Sequence, residues 1–211
     1  MTNPCSRADI MAWRKAERRR LIEERLAIDA DQRRRCASEI MIKLSHFIGE
    51  LSGRSVSVYW PFRGEPDLRR WMESLAKRGG SCALPIVIEK NAPLVFRIWK
   101  KGDKLVSGVW NIPVPADGAE VVPNIVIAPV VGFDMACYRL GHGGGFYYRT
   151  LAILSPPPII IGVGYAQAAI TTIHPLPHDI PMDVIITERG ITAPEPPRTR
   201  HATENAPTAG R

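Results

Sequence analysis

No apolar run in this 211-residue chain approaches the ~20 residues that a membrane-spanning helix requires. Behind Met1-Thr2-Asn3-Pro4-Cys5-Ser6-Arg7-Ala8-Asp9 there is no apolar stretch of signal-peptide length, so a cytoplasmic location and no membrane partner are the expectation. Cysteine is scarce: Cys5, Cys36, Cys82 and Cys137 stand far apart and make no C-x-x-C pair. A zinc cluster needs grouped thiolates or imidazoles, and a disulfide framework suits a secreted chain, so the four read as reduced thiols without a shared function. No internal repeat is visible. Acidic residues are in deficit, 21 Asp+Glu against 28 Lys+Arg for a net charge of +7. Hydrophobic residues are not: at 45%, with five Trp, they exclude a wholly disordered chain. A domain of this size buries roughly 70% of the surface its unfolded chain exposes and needs no staple.

The apolar periodicity sets the organisation. From Asp9 to about Glu50 the chain reads as two helices. Ile10, Trp13, Leu21, Ile22 and Leu26 mark the first apolar stripe, while Arg14, Lys15, Arg18, Arg19, Arg20 and Arg25 fill polar positions. Asp29 or Asp31 caps the second helix, whose stripe includes Ile40, Leu44 and Phe47. Residues 55–60 then alternate like a strand that stops at Pro61. Asp67 opens a helix through about Arg78 with Leu68, Trp71, Met72 and Leu75 on one face, Gly79-Gly80 ends it, and Ser81–Val87 is the next strand. Such a βαβ unit favours a parallel sheet. Residues 93–99, the near-continuous apolar run Ile125–Phe133, Ile159–Gly164 and Val184–Thr187 supply further strands, with a Gly/Pro-rich connection before Pro123. The expected fold class is α/β: one Rossmann-like domain over residues 8–190, with a mostly parallel sheet flanked by helices and an N-terminal helical pair. A polar, Pro-rich tail, 191–211, is expected to be disordered.

Three segments carry chemistry. Arg139-Leu140-Gly141-His142-Gly143-Gly144-Gly145-Phe146-Tyr147-Tyr148-Arg149 follows a buried strand and precedes a helix expected over about Tyr147–Leu154. Glycines let backbone N–H groups turn toward an anion, a helix N-terminus adds partial positive charge, and Arg139 and Arg149 offer fixed charge. The pattern fits neither usual nucleotide fingerprint, and a plain strand-to-helix turn is the competing reading. In Tyr59-Trp60-Pro61-Phe62-Arg63-Gly64-Glu65-Pro66-Asp67, at the end of a parallel strand, Trp60 and Phe62 could stack on a planar ligand and Glu65 accept from its N–H groups. Equally, Trp60 could be core and Glu65 solvated. His174-Pro175-Leu176-Pro177-His178-Asp179-Ile180-Pro181-Met182-Asp183 admits a hard-cation site at Asp179 or a rigid loop in which Asp179 and Asp183 are caps. The basic helices could meet nucleic acid, but Glu17, Glu23, Glu24, Asp29 and Asp31 are interspersed, so no nucleic-acid partner is expected. Arg14 and Arg18, spaced i to i+4, share a helical face and could reach one phosphate group.

Taken in order, these segments resemble the 5-formyltetrahydrofolate cyclo-ligase (methenyltetrahydrofolate synthetase) family from about Trp13 to Gly190. The motifs are the basic helix, Trp-Pro-Phe-Arg-Gly-Glu-Pro (60–66), Trp-Asn-Ile-Pro-Val-Pro (110–115), Gly-Phe-Asp (132–134), the glycine segment and His-Asp-Ile-Pro-Met-Asp (178–183). The glycine segment is the most specific. The resemblance implies a Rossmann-like fold and a ligase of one-carbon folate metabolism. Its reaction is ATP-dependent cyclisation of 5-formyltetrahydrofolate to 5,10-methenyltetrahydrofolate, releasing ADP and phosphate, in a monomer or small homo-oligomer.

It also implies roles. Arg14, Arg18 and Arg139–Tyr147 would contact ATP; Trp60, Glu65 and His142–Phe146 would form the folate pocket; Arg139 and Glu65 would be the catalytic pair; Asp179 would bind Mg²⁺. The family's second magnesium carboxylate stands where this chain has Tyr148. A phenol, uncharged near neutral pH, is a poor substitute for a carboxylate around Mg²⁺. ATP could then carry the metal in, or Asp134 or Asp183 could replace the missing ligand. The alternative implied is a catalytically impaired folate- or nucleotide-binding relative. Gly144, where some members carry lysine, is a milder departure that Arg139 and Arg149 could offset.

Overall fold

Residues 6–195 are described in a computed structural model of the chain. Two long helices come first, α1 (Arg7–Ala27) and α2 (Ala30–Ile48), each capped by a side chain. Ser6 and Asp9 form a reciprocal capping box on α1, and Asp29, rather than Asp31, accepts from the Gln32 N–H at the start of α2. Strand β1 (Ser55–Ser57) leads through α3 (Arg69–Leu75) to the parallel β2 (Ser81–Val87), which pairs antiparallel with β3 (Leu94–Trp99). The Gly/Pro-rich connection folds into a small hairpin, β4 (Leu105–Ser107) and β5 (Pro113–Pro115).

The apolar run 125–133 is not one strand. It divides into β6 (Ile125–Pro129) and β7 (Gly132–Phe133), which leaves the main sheet to pair with β8 (Arg139–Leu140). After α4 (Phe146–Leu151) come β9 (Ile159–Val163), β10 (Val184–Ile186) and the antiparallel β11 (Ile191–Thr192). The first residues of the expected tail thus pair as a strand; residues 196–211, like Met1–Cys5, lie outside the described residues.

The main sheet has the order β11-β10-β9-β6-β1-β2-β3, with parallel pairing from β10 through β2. From β1 the chain winds outward through β2 and β3, then returns to β6 and winds the other way. The β1/β6 boundary is therefore a topological switch point, where the connections diverge and leave a crevice beyond the carboxyl ends of the strands. Both faces of the sheet are buried, because successive side chains of its continuously apolar strands point to opposite sides. Ile125, Ile127, Ile161 and Ile186 meet Ile40, Leu44, Trp71 and Leu75 of α2 and α3 on one face. Val126, Ala128, Ile160 and Ile185 meet Phe133 and Leu151 on the other.

The outermost helices depart from the expected stripes. In α2, Ile48 takes the buried place expected for Phe47, which is 38% exposed. In α1, Leu26 is half exposed while Arg14, Leu21 and Arg25 are buried. The reason is what α1 packs against: not an apolar sheet face but the strand-end loops, whose carbonyls need donors. Arg14 donates to the carbonyls of Ile173 and His174, and Arg25 to those of Arg63 and Val130. Leu21 sits between them with Val131, Leu140 and Ile173.

Candidate functional site

The crevice at the switch point opens into a cavity of about 230 Å³. Tyr59 and Trp60 beyond β1, Pro129 at the end of β6, Arg14 and Arg18 of α1, the β4–β5 hairpin, the glycine segment and Asp179 all line it. The residues that the resemblance assigned to ATP, folate and metal therefore border one space, with Tyr148 among them: Arg14, Arg18, Trp60, Glu65, Arg139–Tyr147 and Asp179. Arg149 does not. It folds back on its own turn, donating to the Gly144 carbonyl at 2.6 Å and to the Tyr148 hydroxyl at 3.0 Å.

The glycine segment is held by backbone geometry rather than by the start of a long helix. Gly143 and Gly145 have φ of +95° and +69°, where a side chain is strained. The following helix α4 has only six residues, ending at Leu151 instead of Leu154. Positive charge in the cavity is thus supplied by side chains. Arg18 donates to the Gly141 carbonyl at 2.6 Å, and the Arg139 guanidinium lies 4.8 Å over the Tyr147 ring. Burial lowers the pKa of both arginines from its ordinary value, and the neighbouring Arg14 pushes Arg18 the same way. Asp179 is the carboxylate that offsets them. It accepts from Arg14 Nη2 at 2.5 Å and from the Leu176 N–H at 2.8 Å. Three cations around one carboxylate leave a surplus of positive charge suited to a phosphate chain.

Glu65 sits differently. Its side chain is 3% exposed, and its Oε2 accepts from the Phe62 N–H at 2.9 Å. Oε1 lies 3.0 Å from His142 Nε2 and 3.9 Å from Arg25 Nη1. Around this pair stand aromatic rings: Phe62 stacks on Trp110 with centroids 6.0 Å apart, and Trp60 meets Trp99 edge-on at 5.8 Å. Trp60 is both a core and a cavity residue, and Glu65 is not solvated. The Tyr147 hydroxyl is buried without a partner among the described residues, and burial raises its pKa above the usual phenol range. A buried donor left unpaired costs roughly 1–3 kcal/mol until something accepts from it.

The residues do not suit a metal ion held by the protein. Among the described residues no three His, Cys, Asp or Glu side chains are grouped for one. Asp179 is engaged by Arg14. Tyr148 packs its ring 4.9 Å from His178 and accepts from Arg149. Neither candidate replacement reaches the cavity: Asp134 accepts from the Tyr138 and Ile173 N–H groups, and Asp183 from the Ile160 N–H. His174 packs edge-on against Trp13. Among the described residues Cys36, Cys82 and Cys137 are free thiols; Cys82 and Cys137 are buried, their thiols pushed up to about 12 and about 11, and Cys5 lies outside the described residues.

Sequence reasoning missed two residues. Trp110, at the tip of the β4–β5 hairpin, stands in the 110–115 motif but carries no site role in the sequence reading; a tryptophan in a Gly/Pro-rich connection was the available signal. Arg25 shares a helical face with Arg14, Arg18 and Leu21 (spacings of four, three and four residues), which was legible as a stripe had arginine been admitted to it.

The model of the 5-formyltetrahydrofolate cyclo-ligase family matches residues 10–188. A 5-formyltetrahydrofolate cyclo-ligase from Mycolicibacterium smegmatis is 29% identical over 153 residues, covering 68% of this chain and 79% of that protein. The Escherichia coli K12 protein of the same name is 29% identical over 178 residues, 78% of this chain and 94% of its own. In fold, the chain matches Aquifex aeolicus 5,10-methenyltetrahydrofolate synthetase with a TM-score of 0.75 at 24% identity, covering 91% of this chain and 98% of that one. No helix among the described residues is long and apolar enough to cross a membrane.

Proposed function

The chain belongs to the 5-formyltetrahydrofolate cyclo-ligase family, and from that premise we propose that it catalyses the ATP-dependent cyclisation of 5-formyltetrahydrofolate to 5,10-methenyltetrahydrofolate. The observation that carries this reading is the pairing, within one cavity, of an arginine-rich wall around Asp179 with an aromatic, carboxylate-bearing wall around Glu65. A formamide oxygen is a poor leaving group. Its attack on the γ-phosphorus forms a C–O–P linkage and releases ADP. The N10 nitrogen then bonds to the activated carbon, loses its proton, and phosphate departs with the C–O bond. Such a reaction asks the protein for positioning and charge neutralisation. Arg14, Arg18 and Arg139 would neutralise the phosphates, with the glycine segment closing around them. Trp60, Phe62 and Trp110 would hold the flat pterin, and Glu65 would accept from its N–H edge.

A second reading, a folate- or nucleotide-binding relative without turnover, is favoured by Tyr148 and by the engagement of Asp179 with Arg14. One experiment separates them: purified protein with 5-formyltetrahydrofolate and ATP as its magnesium complex, followed by methenyltetrahydrofolate absorbance, beside the Tyr148→Asp variant. Product from the unmodified chain is expected. Product from the variant alone would transfer the conclusion to the second reading, and silence from both would overturn the first.

A further inference from the structure

The turn that carries Glu65 is strained, and two of its anchors come from distant parts of the chain. We propose that Tyr165 and Arg25 are positioning residues: by holding the carbonyls of Gly64 and Arg63 they fix the turn 62–65, and with it the place of the Glu65 carboxylate in the cavity. The inference deepens the preceding reading and rests on it for the ligand that Glu65 meets.

Between Phe62 and Glu65 the chain reverses through two consecutive residues of positive φ, Arg63 at +46° and Gly64 at +75°. Glycine adopts that region without cost. An arginine does not, and it stays there only where its surroundings fix it. The turn has two bonds of its own: the Glu65 N–H donates to the Phe62 carbonyl at 3.1 Å, and Glu65 Oε2 accepts from the Phe62 N–H at 2.9 Å. The second bond spends one carboxylate oxygen on the turn and leaves Oε1 on the side of His142. The conformation of the turn and the placement of the carboxylate are thus one variable.

The two intervening carbonyls are held from outside. Arg25 Nε donates to that of Arg63 at 2.9 Å, while its Nη1 reaches the Val130 carbonyl just beyond β6 at 3.4 Å. The Tyr165 hydroxyl donates to that of Gly64 at 3.1 Å; a carbonyl only accepts, so the direction is settled. Arg25 belongs to α1 and Tyr165 follows β9, whereas the turn follows β1, so the brace crosses the switch point. Both anchors are buried, 4% and 3% exposed, and neither borders the cavity that Glu65 lines. The space beside the turn is closed as well: a Cβ at Gly64 would lie 3.0 Å from Arg33 Nη1. A phenylalanine would fill the place of Tyr165; its oxygen is what reaches the turn.

The test pairs a structural readout with a kinetic one on the full chain. Hydrogen exchange at the Phe62 N–H, followed by NMR without substrate, reports whether the turn is closed. Tyr165→Phe, which deletes one oxygen, should speed that exchange by about tenfold, the loss of one ordinary hydrogen bond, and leave the amides of β2 unchanged. Arg25→Lys should do the same, because it keeps a cation beside Glu65 but loses the rigid fork that joins two carbonyls. With substrates, each variant should raise the KM for 5-formyltetrahydrofolate about tenfold while kcat and the KM for ATP change by less than about threefold, the split expected of a displaced substrate contact. Unchanged exchange at Phe62 in Tyr165→Phe overturns the inference. So does an equal rise in both KM values, which a general loosening of the fold would give. Should Arg25→Lys not fold, Tyr165→Phe decides. Should the unmodified chain show no turnover, the proposed reaction falls, and exchange at Phe62 decides this inference alone.

Discussion

Two carboxylates in one cavity, each bound by an arginine of α1, have opposite surroundings. Glu65 is closed off: one backbone N–H, one imidazole and one guanidinium meet it, and little of it faces water. Asp179 is outnumbered, with Arg14 bonded to it and Arg18 and Arg139 within its electrostatic reach. The first cluster is near neutrality and ordered, so its value lies in a fixed acceptor. The second carries a cationic surplus, which suits an anion. The lesson is that the same pair of residue types can make a neutral or a cationic cluster, according to how many arginines surround each carboxylate; under the proposed reaction the two would serve opposite ends of the ligands.

Glu65→Ala should break the closed cluster most severely. It leaves Arg25 buried without its carboxylate, and stranding one member of a buried pair costs about 3–5 kcal/mol. A fall in melting temperature together with loss of all product formation is expected. Undiminished turnover would remove Glu65 from the site. Arg139→Ala strikes the open cluster instead, where the lost cation is one of three. Nucleotide affinity should fall by about one to two orders of magnitude and turnover should be lost, with a smaller change in melting temperature, since hydrogen bonds to charged groups contribute about 1.5–3 kcal/mol. Calorimetric ATP titration checks this; affinity unchanged by the substitution would assign the surplus charge to another role.

The fold was largely legible because strands buried on both faces write themselves as apolar runs, and Ser81–Val87 is one whose ends the turn glycines and flanking polar residues fix. Legibility failed where polar groups do the packing. Arg14 and Arg25 read as polar positions of α1 because charge usually marks solvent, yet the loops beneath that helix present carbonyls rather than methyl groups, and both side chains are buried. The division of the 125–133 run was hidden for a related reason. Val131 and Phe133 remain buried after the chain has left the main sheet, so hydrophobicity continues while pairing changes. At the site, spacing identified the members but not their partners: Asp179 reads as a metal ligand or a cap in sequence, and only the return of α1 across the strand ends pairs it with Arg14.

The finest distinction between the two clusters comes from Asp179→Asn, which removes charge and little volume. If Asp179 tempers a cationic surplus, neutralising it loosens Arg14 but makes the cluster more attractive to phosphate. These effects oppose one another, so ATP affinity should change by no more than about threefold, under 1 kcal/mol, and by the same factor with and without magnesium. If Asp179 instead holds a metal, its carboxylate must first leave Arg14, and the substitution should weaken ATP binding only where magnesium is present. Calorimetric titrations in the two buffers separate these outcomes. A loss beyond about tenfold, or 1.4 kcal/mol, confined to the magnesium buffer would make Asp179 a ligand despite its ion pair. An equal, small change in both would leave the guanidinium groups as the chain's own means of meeting phosphate.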